Sequence, residues 1–159
     1  MTTTHVHSIV FFSVPDGVWD EEDLFTFIHI TDLHISKYKY LDIKDDLQEF
    51  FTTTLDTIKP KVVIASGDLT DAKDSDGVGS FQLREEWNTY KSLLLKNNVL
   101  NKTVYLDIRG NHDTFDVHSL NDSNNYFASH SSQVICSSPV KICSCQFTTY
   151  FSKNLIAPP

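Results

Sequence analysis

The 159-residue sequence lacks an apolar run long enough to span a bilayer, and it is poor in cysteine and in basic residues. Its three cysteines, Cys136, Cys143 and Cys145, have no Cys-x-x-Cys spacing, which favours free thiols over a disulfide framework or a zinc knuckle. The 13 lysines and arginines face 21 aspartates and glutamates, which gives a net charge of −8. Phosphate backbones call for clustered basic residues, so we expect no nucleic-acid partner.

An acidic chain can still act on small phosphorylated molecules, because bound cations reverse the local potential of an acidic pocket. The apolar stretch HSIVFFSV at 7–14 is short and has no basic region before it, so it makes a poor signal peptide. A hydrophobic content of 40% over this length fits one globular domain with a core. The cellular compartment is left open by these features.

Three apolar runs rich in β-branched and aromatic residues predict buried strands. They are LFTFIHIT at 24–31, KVVIAS at 61–66 and TVYLDI at 103–108. Each run passes directly into a polar segment. The carboxyl ends of parallel strands meet at one edge of an open sheet, where ligands bind, so we expect these polar segments to lie together.

Two stretches with apolar residues at three- and four-residue steps predict the helices between the strands. The first comprises Ile43, Leu47, Phe50, Phe51, Leu55 and Ile58, and Pro60 ends it. The second, from Phe81 to about Asn97, comprises Leu83, Trp87, Tyr90, Leu93 and Leu94, which we expect to pack on the sheet. The order βαβαβ predicts an α/β fold with parallel strands and right-handed crossovers.

The remaining segments give weaker patterns. We treat residues 1–22 as an N-terminal arm, 23–130 as the domain and 131–159 as a divergent tail. A short helix is expected around Tyr126 and Phe127, and KICSCQFTTYF at 141–151 alternates as a strand does.

The first two polar segments offer metal-binding side chains. Asp32-x-His34 can turn one carboxylate and one imidazole to the same side of a strand end. Gly67 permits a backbone with φ > 0 before Asp68, whose two oxygens could bridge two cations. Each pattern alone is typical of an ordinary polar strand end or turn. Their joint occurrence at one sheet edge is what indicates a metal site.

The third segment is Gly110-Asn111-His112-Asp113. Asn111 can give an amide oxygen to a cation without adding negative charge. His112 could project toward a substrate, while Asp113 could accept a hydrogen bond from an imidazole and fix its tautomer. In isolation the segment would be a capped turn, but three such segments in order make that explanation improbable.

Together, these motifs resemble the first three motif blocks of the calcineurin-like metallophosphoesterases. The longer stretches around these motifs are more similar still to the transmembrane protein 62 group of that superfamily. They are ITDLHIS, IASGDLTDAK, EEWNTY and LDIRGNHDTF. The resemblance covers about residues 24–130. It implies the N-terminal half of a four-layer α/β/β/α sandwich. It also implies hydrolysis of a phosphoester, whose identity stays open.

The resemblance also implies roles for individual residues. Asp32 and His34 would hold one metal ion, Asp68 would bridge two, and Asn111 would bind the second. His112 would stabilise the transferring phosphoryl group or protonate the leaving oxygen, with support from Asp113. Two divalent cations, Mn, Fe or Zn, suit this mixed oxygen and nitrogen ligation and would activate water for attack on phosphorus.

The sequence also departs from the family pattern. Such enzymes carry later histidines, including a Gly-His-x-His block, whereas only His118 and His130 follow Asp113 here. We expect a truncated or aberrantly ended chain, an exposed sheet face capable of self-association, and membrane anchoring only in a longer parent protein. The alternative is an inactive fragment with a partial metal site or a purely interaction role. A dinucleotide-binding domain is disfavoured, because DLHIS replaces the glycine-rich first turn.

The truncation hypothesis is tested by sequencing the transcript past codon 159. We expect a longer form that supplies the later histidines. A verified stop at that codon, with no longer form, would leave the hypothesis without support.

Overall fold

Four strands form one sheet in the computed structural model, which describes residues 9–13 and 24–135 of the chain. The strands, in sheet order, are β1 (Ile9–Ser13), β2 (Leu24–Thr31), β3 (Val62–Ser66) and β4 (Val104–Ile108). Strands β2, β3 and β4 run parallel, and their register aligns Ile28 with Val63 and Val63 with Tyr105. The predicted α/β arrangement of three parallel strands is therefore confirmed.

Strand β1 was not predicted. It pairs antiparallel with β2, with Ile9 opposite Ile28, and falls in the segment that the sequence analysis treats as an arm. Five residues added to the edge of an existing sheet give little periodic signal of their own, because their pairing depends on β2. The strand expected at 141–151 lies outside the described residues.

The helices are α1 (Ile43–Glu49), a π-helical segment (Phe50–Thr54) and α2 (Leu55–Ile58), which are contiguous, then α3 (Arg84–Lys96), α4 (Val99–Lys102), α5 (Phe127–His130) and α6 (Ser132–Ile135). The first helical stretch and α3 occupy the predicted intervals, whereas α4 and α6 were not predicted. Lys59, with φ 50°, ends the first helical stretch directly before Pro60. Helix α3 begins three residues later than predicted, and α5 matches the short helix expected near Phe127.

The core lies between one face of the sheet and the helices. Alternate strand residues, Ile28, Val63 and Tyr105 among them, are buried in one cluster with the apolar residues of the helices. Trp87 and Tyr90 of α3 are fully buried, as the helical spacing predicted. Burial of such side chains is worth roughly 1.5–3 kcal/mol each, so this face carries most of the packing energy.

The opposite face of the sheet is less covered within the described residues. Ile64 and Leu106 are half-buried, and Ile108 at the end of β4 is 54% exposed. A parallel sheet is normally covered on both faces. Apolar side chains therefore remain accessible on this side of the described part.

One buried carboxylate anchors the last helix to the sheet. Asp107 of β4 accepts hydrogen bonds from the Tyr90 hydroxyl at 2.9 Å and from the backbone N–H of Ser132 at 2.6 Å. Burial raises the pKa of Asp107, and these hydrogen bonds oppose that rise. In residues 9–13 and 24–135, the structure contains no helix long and apolar enough to cross a membrane.

A second buried carboxylate, Glu86 of α3, links the segments that follow β2 and β3. Its two oxygens accept the backbone N–H groups of Lys37 and Ala72, each at 2.9 Å. Burial raises the pKa of Glu86 to about 7, and the nearby Asp71 and Glu85 charges act in the same direction. Glu86 is 1% exposed and adds a buried side-chain link between these two segments.

The raised pKa of Glu86 predicts a pH-dependent stability. A carboxyl group whose pKa is higher in the folded chain than in the unfolded chain makes its full contribution to the free energy of unfolding below the unfolded pKa. This contribution is lost as the pH rises through the folded pKa. The metal-free chain should therefore lose stability between about pH 4.5 and 7, which urea unfolding at several pH values measures. Glu86→Gln should remove this slope and cost about 1–3 kcal/mol at pH 5, because one backbone N–H would face an amide NH₂.

The matched control is Glu49→Gln, which changes an exposed carboxylate that is not among the charges acting on Glu86 and should keep the wild-type slope. Equal pH slopes in the wild-type chain and in Glu86→Gln would contradict this account of the buried carboxyl.

Candidate metal centre

The segments after β2, β3 and β4 stay in register beyond the ends of the strands. The backbone N–H of His34 donates to the carbonyl of Asp68 at 2.8 Å, and that of Asp32 donates to Gly67 at 3.2 Å. The N–H of Gly67 in turn donates to Ile108 of β4 at 2.9 Å. These bonds carry the sheet alignment into the polar segments, so that their side chains converge at one edge.

The backbone of these segments adopts conformations that side chains rarely take. Among residues 9–13 and 24–135, eight non-glycine residues have positive φ, and four of them lie here: Asp32 (55°), His34 (45°), Asp68 (47°) and Ala72 (51°). Each such residue costs of the order of 1–3 kcal/mol and persists only where its surroundings determine it. The concentration of strain at this edge is typical of a functional site.

Two glycines let the segments approach each other. Gly67 has φ +80°, as predicted, and Gly110 lies against the backbone of the β3 segment. A Cβ at Gly110 would stand 2.1 Å from Oδ1 of Asp68 and 2.2 Å from its backbone N. No side chain fits at this position, so the close approach of the second and third segments requires glycine.

The structure brings three of the predicted metal ligands together. The Nε2 atom of His34 lies 3.8 Å from Oδ1 of Asp32 and 3.9 Å from Oδ2 of Asp68. Their donor atoms all lie within 4.8 Å of one another, a spacing that one ion could fill. The side chain of Asp32 is 52% exposed and that of Asp68 is 13% exposed, so the group opens to solvent on the side of Asp32.

Asp71 belongs to the same site, although the sequence analysis missed it. Its Oδ1 atom lies 3.7 Å from Nδ1 of His34 and 3.9 Å from Nδ1 of His112, and these three residues form a second group of potential ligands. The side chain is 9% exposed. The signal was present in GDLTD, where a second acidic residue follows Asp68 by three positions.

The contacts of His112 fix the position of its proton. Its Nδ1 atom lies 2.5 Å from the backbone carbonyl oxygen of Asp71, and its ring stands at right angles to that of His34 with centroids 4.6 Å apart. A carbonyl oxygen can only accept a hydrogen bond, so Nδ1 carries the hydrogen and Nε2 is the free nitrogen. This arrangement disfavours Nδ1 of His112 as a metal ligand and leaves Nε2 for chemistry.

Asp113, which was expected to support an imidazole, has backbone N–H groups as hydrogen-bond partners in the described part of the chain. It is 1% exposed and accepts the backbone N–H groups of Gly110 at 2.9 Å, Thr70 at 3.0 Å and Leu69 at 3.1 Å. Burial raises the pKa of Asp113, and these N–H donors oppose the rise. Its carboxylate therefore joins the β3 and β4 segments, and the backbone carbonyl of Asp71 contacts the imidazole instead.

Asn111 begins the short 3₁₀ helix His112–Thr114. Its backbone carbonyl accepts the N–H and the hydroxyl of Thr114, and its side chain is exposed. The next residue, His112, donates its backbone N–H to Oδ1 of Asp68 at 2.9 Å. Asn111 therefore directly precedes a residue whose backbone is bound to a predicted metal ligand. His118 and His130 join neither group of potential ligands, and the His118 side chain is 83% exposed.

The side chains at this edge fit divalent cations chemically. The cluster contains three carboxylates and two imidazoles: Asp32, His34, Asp68, Asp71 and His112. Within residues 26–135, the ion pairs of its carboxylates are with histidines rather than with lysine or arginine. Hard carboxylate oxygens with neutral imidazole nitrogens suit Mn, Fe or Zn, and an ion would relieve the mutual repulsion of the carboxylates.

The sequence model of the calcineurin-like phosphoesterase family matches residues 25–155. The chain belongs to this family. The match extends into the segment that the sequence analysis treats as a divergent tail. The parallel sheet of the chain, with its helices, agrees with the N-terminal half of the family fold, and the predicted family membership is confirmed.

Two curated relatives are similar to this chain. "Transmembrane protein 62" of Mus musculus is 39% identical over 112 residues, which are 70% of this chain and 17% of that protein. "Putative metallophosphoesterase At3g03305" of Arabidopsis thaliana is 34% identical over 113 residues, 69% of this chain and 15% of that protein. The chain thus spans less than a fifth of either relative. The family binds divalent metals, which agrees with the donor set at the sheet edge.

The fit at Gly110 predicts the effect of one added methyl group. Gly110→Ala should push the third segment away from Asp68, lower stability by about 1–3 kcal/mol and weaken Mn²⁺ binding at least tenfold. Thermal unfolding and calorimetric titration with Mn²⁺ measure the two effects.

Gly77→Ala is the matched control. It places a methyl at φ +79°, but that methyl meets only the movable end of Lys39, and Gly77 belongs to neither ligand group. It should cost some stability and leave Mn²⁺ affinity unchanged. Wild-type Mn²⁺ affinity in Gly110→Ala would show that the close approach does not shape the site.

Proposed function

We propose that this chain is a metal-dependent phosphoesterase domain that hydrolyses a phosphoester at a centre of two divalent ions. The observation that carries the proposal is the convergence of Asp32, His34 and Asp68 with the Asp71–His112 pair at one sheet edge. Family membership supports the phosphoesterase class. The number of ions, their identity and the substrate are part of the proposal.

The donor spacing supports Asp32, His34 and Asp68 as residues that would hold one ion. Asp68 would also serve a second ion, for which the family resemblance implies the amide oxygen of Asn111. When bound, such ions act as Lewis acids on a phosphoryl oxygen and lower the pKa of a coordinated water.

His112 is the proposed catalytic residue. Because its Nδ1 is occupied by the carbonyl of Asp71, its Nε2 can donate a proton to the leaving oxygen when the ring is charged. The Asp71 carboxylate lies 3.9 Å from Nδ1, on the side of the ring away from the proposed proton donor. Asp113 is a positioning residue, since its contacts are to the backbone that supports Gly110 and not to the reacting atoms.

A second candidate is an inactive domain with a partial metal site or an interaction role. The observation in its favour is the count of nitrogen donors, because the cluster contains only His34 and His112 within the described residues. The two candidates are separated by turnover. Metal binding without hydrolysis would favour the second.

A membrane location is proposed only for a longer protein that contains this domain. One relative is named a transmembrane protein, and this chain covers 17% of it. The substrate is proposed as a phosphoester of unspecified alcohol, and no nucleic acid is expected because the chain carries a net charge of −8.

The proposal is tested with aryl-phosphate hydrolysis and metal analysis for Mn, Fe and Zn. Asp68→Ala should reduce both bound metal and turnover, because it removes the proposed bridge. His112→Gln should keep the metal and lower kcat by about 10²–10⁴-fold, the usual contribution of a proton donor.

His118→Gln is the control for the second substitution, since His118 is an exposed imidazole outside the cluster. It should behave as the wild-type chain. Turnover that survives both Asp68→Ala and His112→Gln would overturn the site assignment.

We also propose that the partly covered sheet face mediates self-association. Ile64, Leu106 and Ile108 present apolar side chains on the face opposite the helices. Leu106→Lys should place a charge there and shift the chain toward monomer in sedimentation velocity at micromolar concentration. Leu120→Lys, at a site 80% exposed, is the control and should change nothing. A wild-type chain that is monomeric throughout would contradict this proposal.

A further inference from the structure

Two side chains, Phe115 and Lys73, stack outward from the proposed catalytic imidazole of His112. The ring of Phe115 lies against that of His112, with centroids 4.7 Å apart and planes tilted by 44°. The ammonium of Lys73 lies over the Phe115 ring, 4.9 Å from its centroid. A cation in this position is attracted by the negative face of the ring. The stack therefore carries a positive charge one aromatic ring beyond His112.

The position of Lys73 is determined on two sides. Its Nζ donates to the hydroxyl of Ser80 at 2.6 Å, and the backbones of Lys73 and Ser80 pair as an antiparallel bridge. Asp74 closes the intervening turn by accepting the N–H groups of Gly77 at 2.9 Å and Gly79 at 3.0 Å. The hairpin Lys73–Ser80 thus holds the lysine beside the site.

Lys73 differs from other lysines of the chain in its partners. Lys37 and Lys102 are paired with Glu85 and Asp56, at 3.0 Å and 2.8 Å. Within residues 26–135, no carboxylate forms an ion pair with Lys73, although it follows Asp71 by two positions. One of its three N–H donors serves Ser80, so donors remain for an anionic ligand.

We propose that Lys73 and Phe115 form a subsite for the leaving group of the phosphoester, selective for a leaving group that is aromatic or planar and carries a negative charge. The inference rests on the proposed function of His112. A residue that protonates the leaving oxygen lies on the leaving-group side of phosphorus. The Phe115 ring contacts that residue, and the Lys73 ammonium lies on the Phe115 ring. The aromatic ring offers a stacking surface and the ammonium a charge-assisted hydrogen bond.

The test uses two esters that differ by one charge, 4-carboxyphenyl phosphate and its methyl carboxylate ester. The full 159-residue chain, loaded with Mn²⁺, should show a higher kcat/KM for the acid than for the ester. Lys73→Gln should lower that ratio about tenfold, and Lys73→Arg should restore it. Phe115→Leu should lower kcat/KM for both substrates, because both lose the aromatic stacking surface.

Lys39→Gln is the matched control, because Lys39 lies on the neighbouring loop against Gly77 and should leave the ratio unchanged. An unchanged ratio in Lys73→Gln would overturn the inference, even if that variant unfolds at a lower temperature. An equal loss in Lys39→Gln would also overturn it, since the effect would then be one of general charge.

Binding of the two matching phosphonates, followed by calorimetry, separates the subsite from the reaction. If the wild-type chain hydrolyses neither ester, the proposed function fails. In that case, a preference for the carboxyl phosphonate that Lys73→Gln abolishes would still support the subsite. Equal binding of both phosphonates to the wild-type chain would overturn it.

Discussion

The buried carboxylate of Asp113 is the interaction on which the candidate centre depends. By accepting the N–H groups of Leu69, Thr70 and Gly110, it joins the segments that follow β3 and β4 in a single arrangement. Three donors on one carboxylate offset part of the cost of burying its charge. Glu86 makes the corresponding link between the segments after β2 and β3. All three segments are thus tied to each other by carboxylates that do not themselves belong to the cluster.

This support explains how the cluster can exist at all. Asp32, His34 and Asp68 all have positive φ, and three carboxylates lie close together, so both backbone strain and charge repulsion oppose the arrangement. The backbone hydrogen bonds between the segments and the close approach of Gly110 keep the backbone in its strained conformation. Divalent ions would remove the repulsion between the carboxylates. The same features that destabilise the isolated chain therefore preorganise it for metal, which links stability to function at this sheet edge.

The sequence was most informative where signals are local. The strands, the two apolar helical faces and the convergence of Asp32, His34 and Asp68 follow from periodicity and from the parallel order of elements. Strand β1 was missed because its pairing is set by the edge of β2. The backbone contacts of Asp113 were not predicted, because its partners Leu69 and Thr70 are more than 40 residues away and give no local pattern. Asp71 was visible in GDLTD, but only the fold turns it toward the two imidazoles.

The central claim is that the carboxyl ends of β2, β3 and β4 form a centre for divalent ions. Anomalous diffraction at the Mn edge, from crystals of the chain grown with Mn²⁺, tests it most directly. The account predicts one anomalous peak within bonding distance of Asp32, His34 and Asp68, and a second that shares Asp68. Peaks elsewhere on the molecule, or an empty cluster at saturating Mn²⁺, would contradict it.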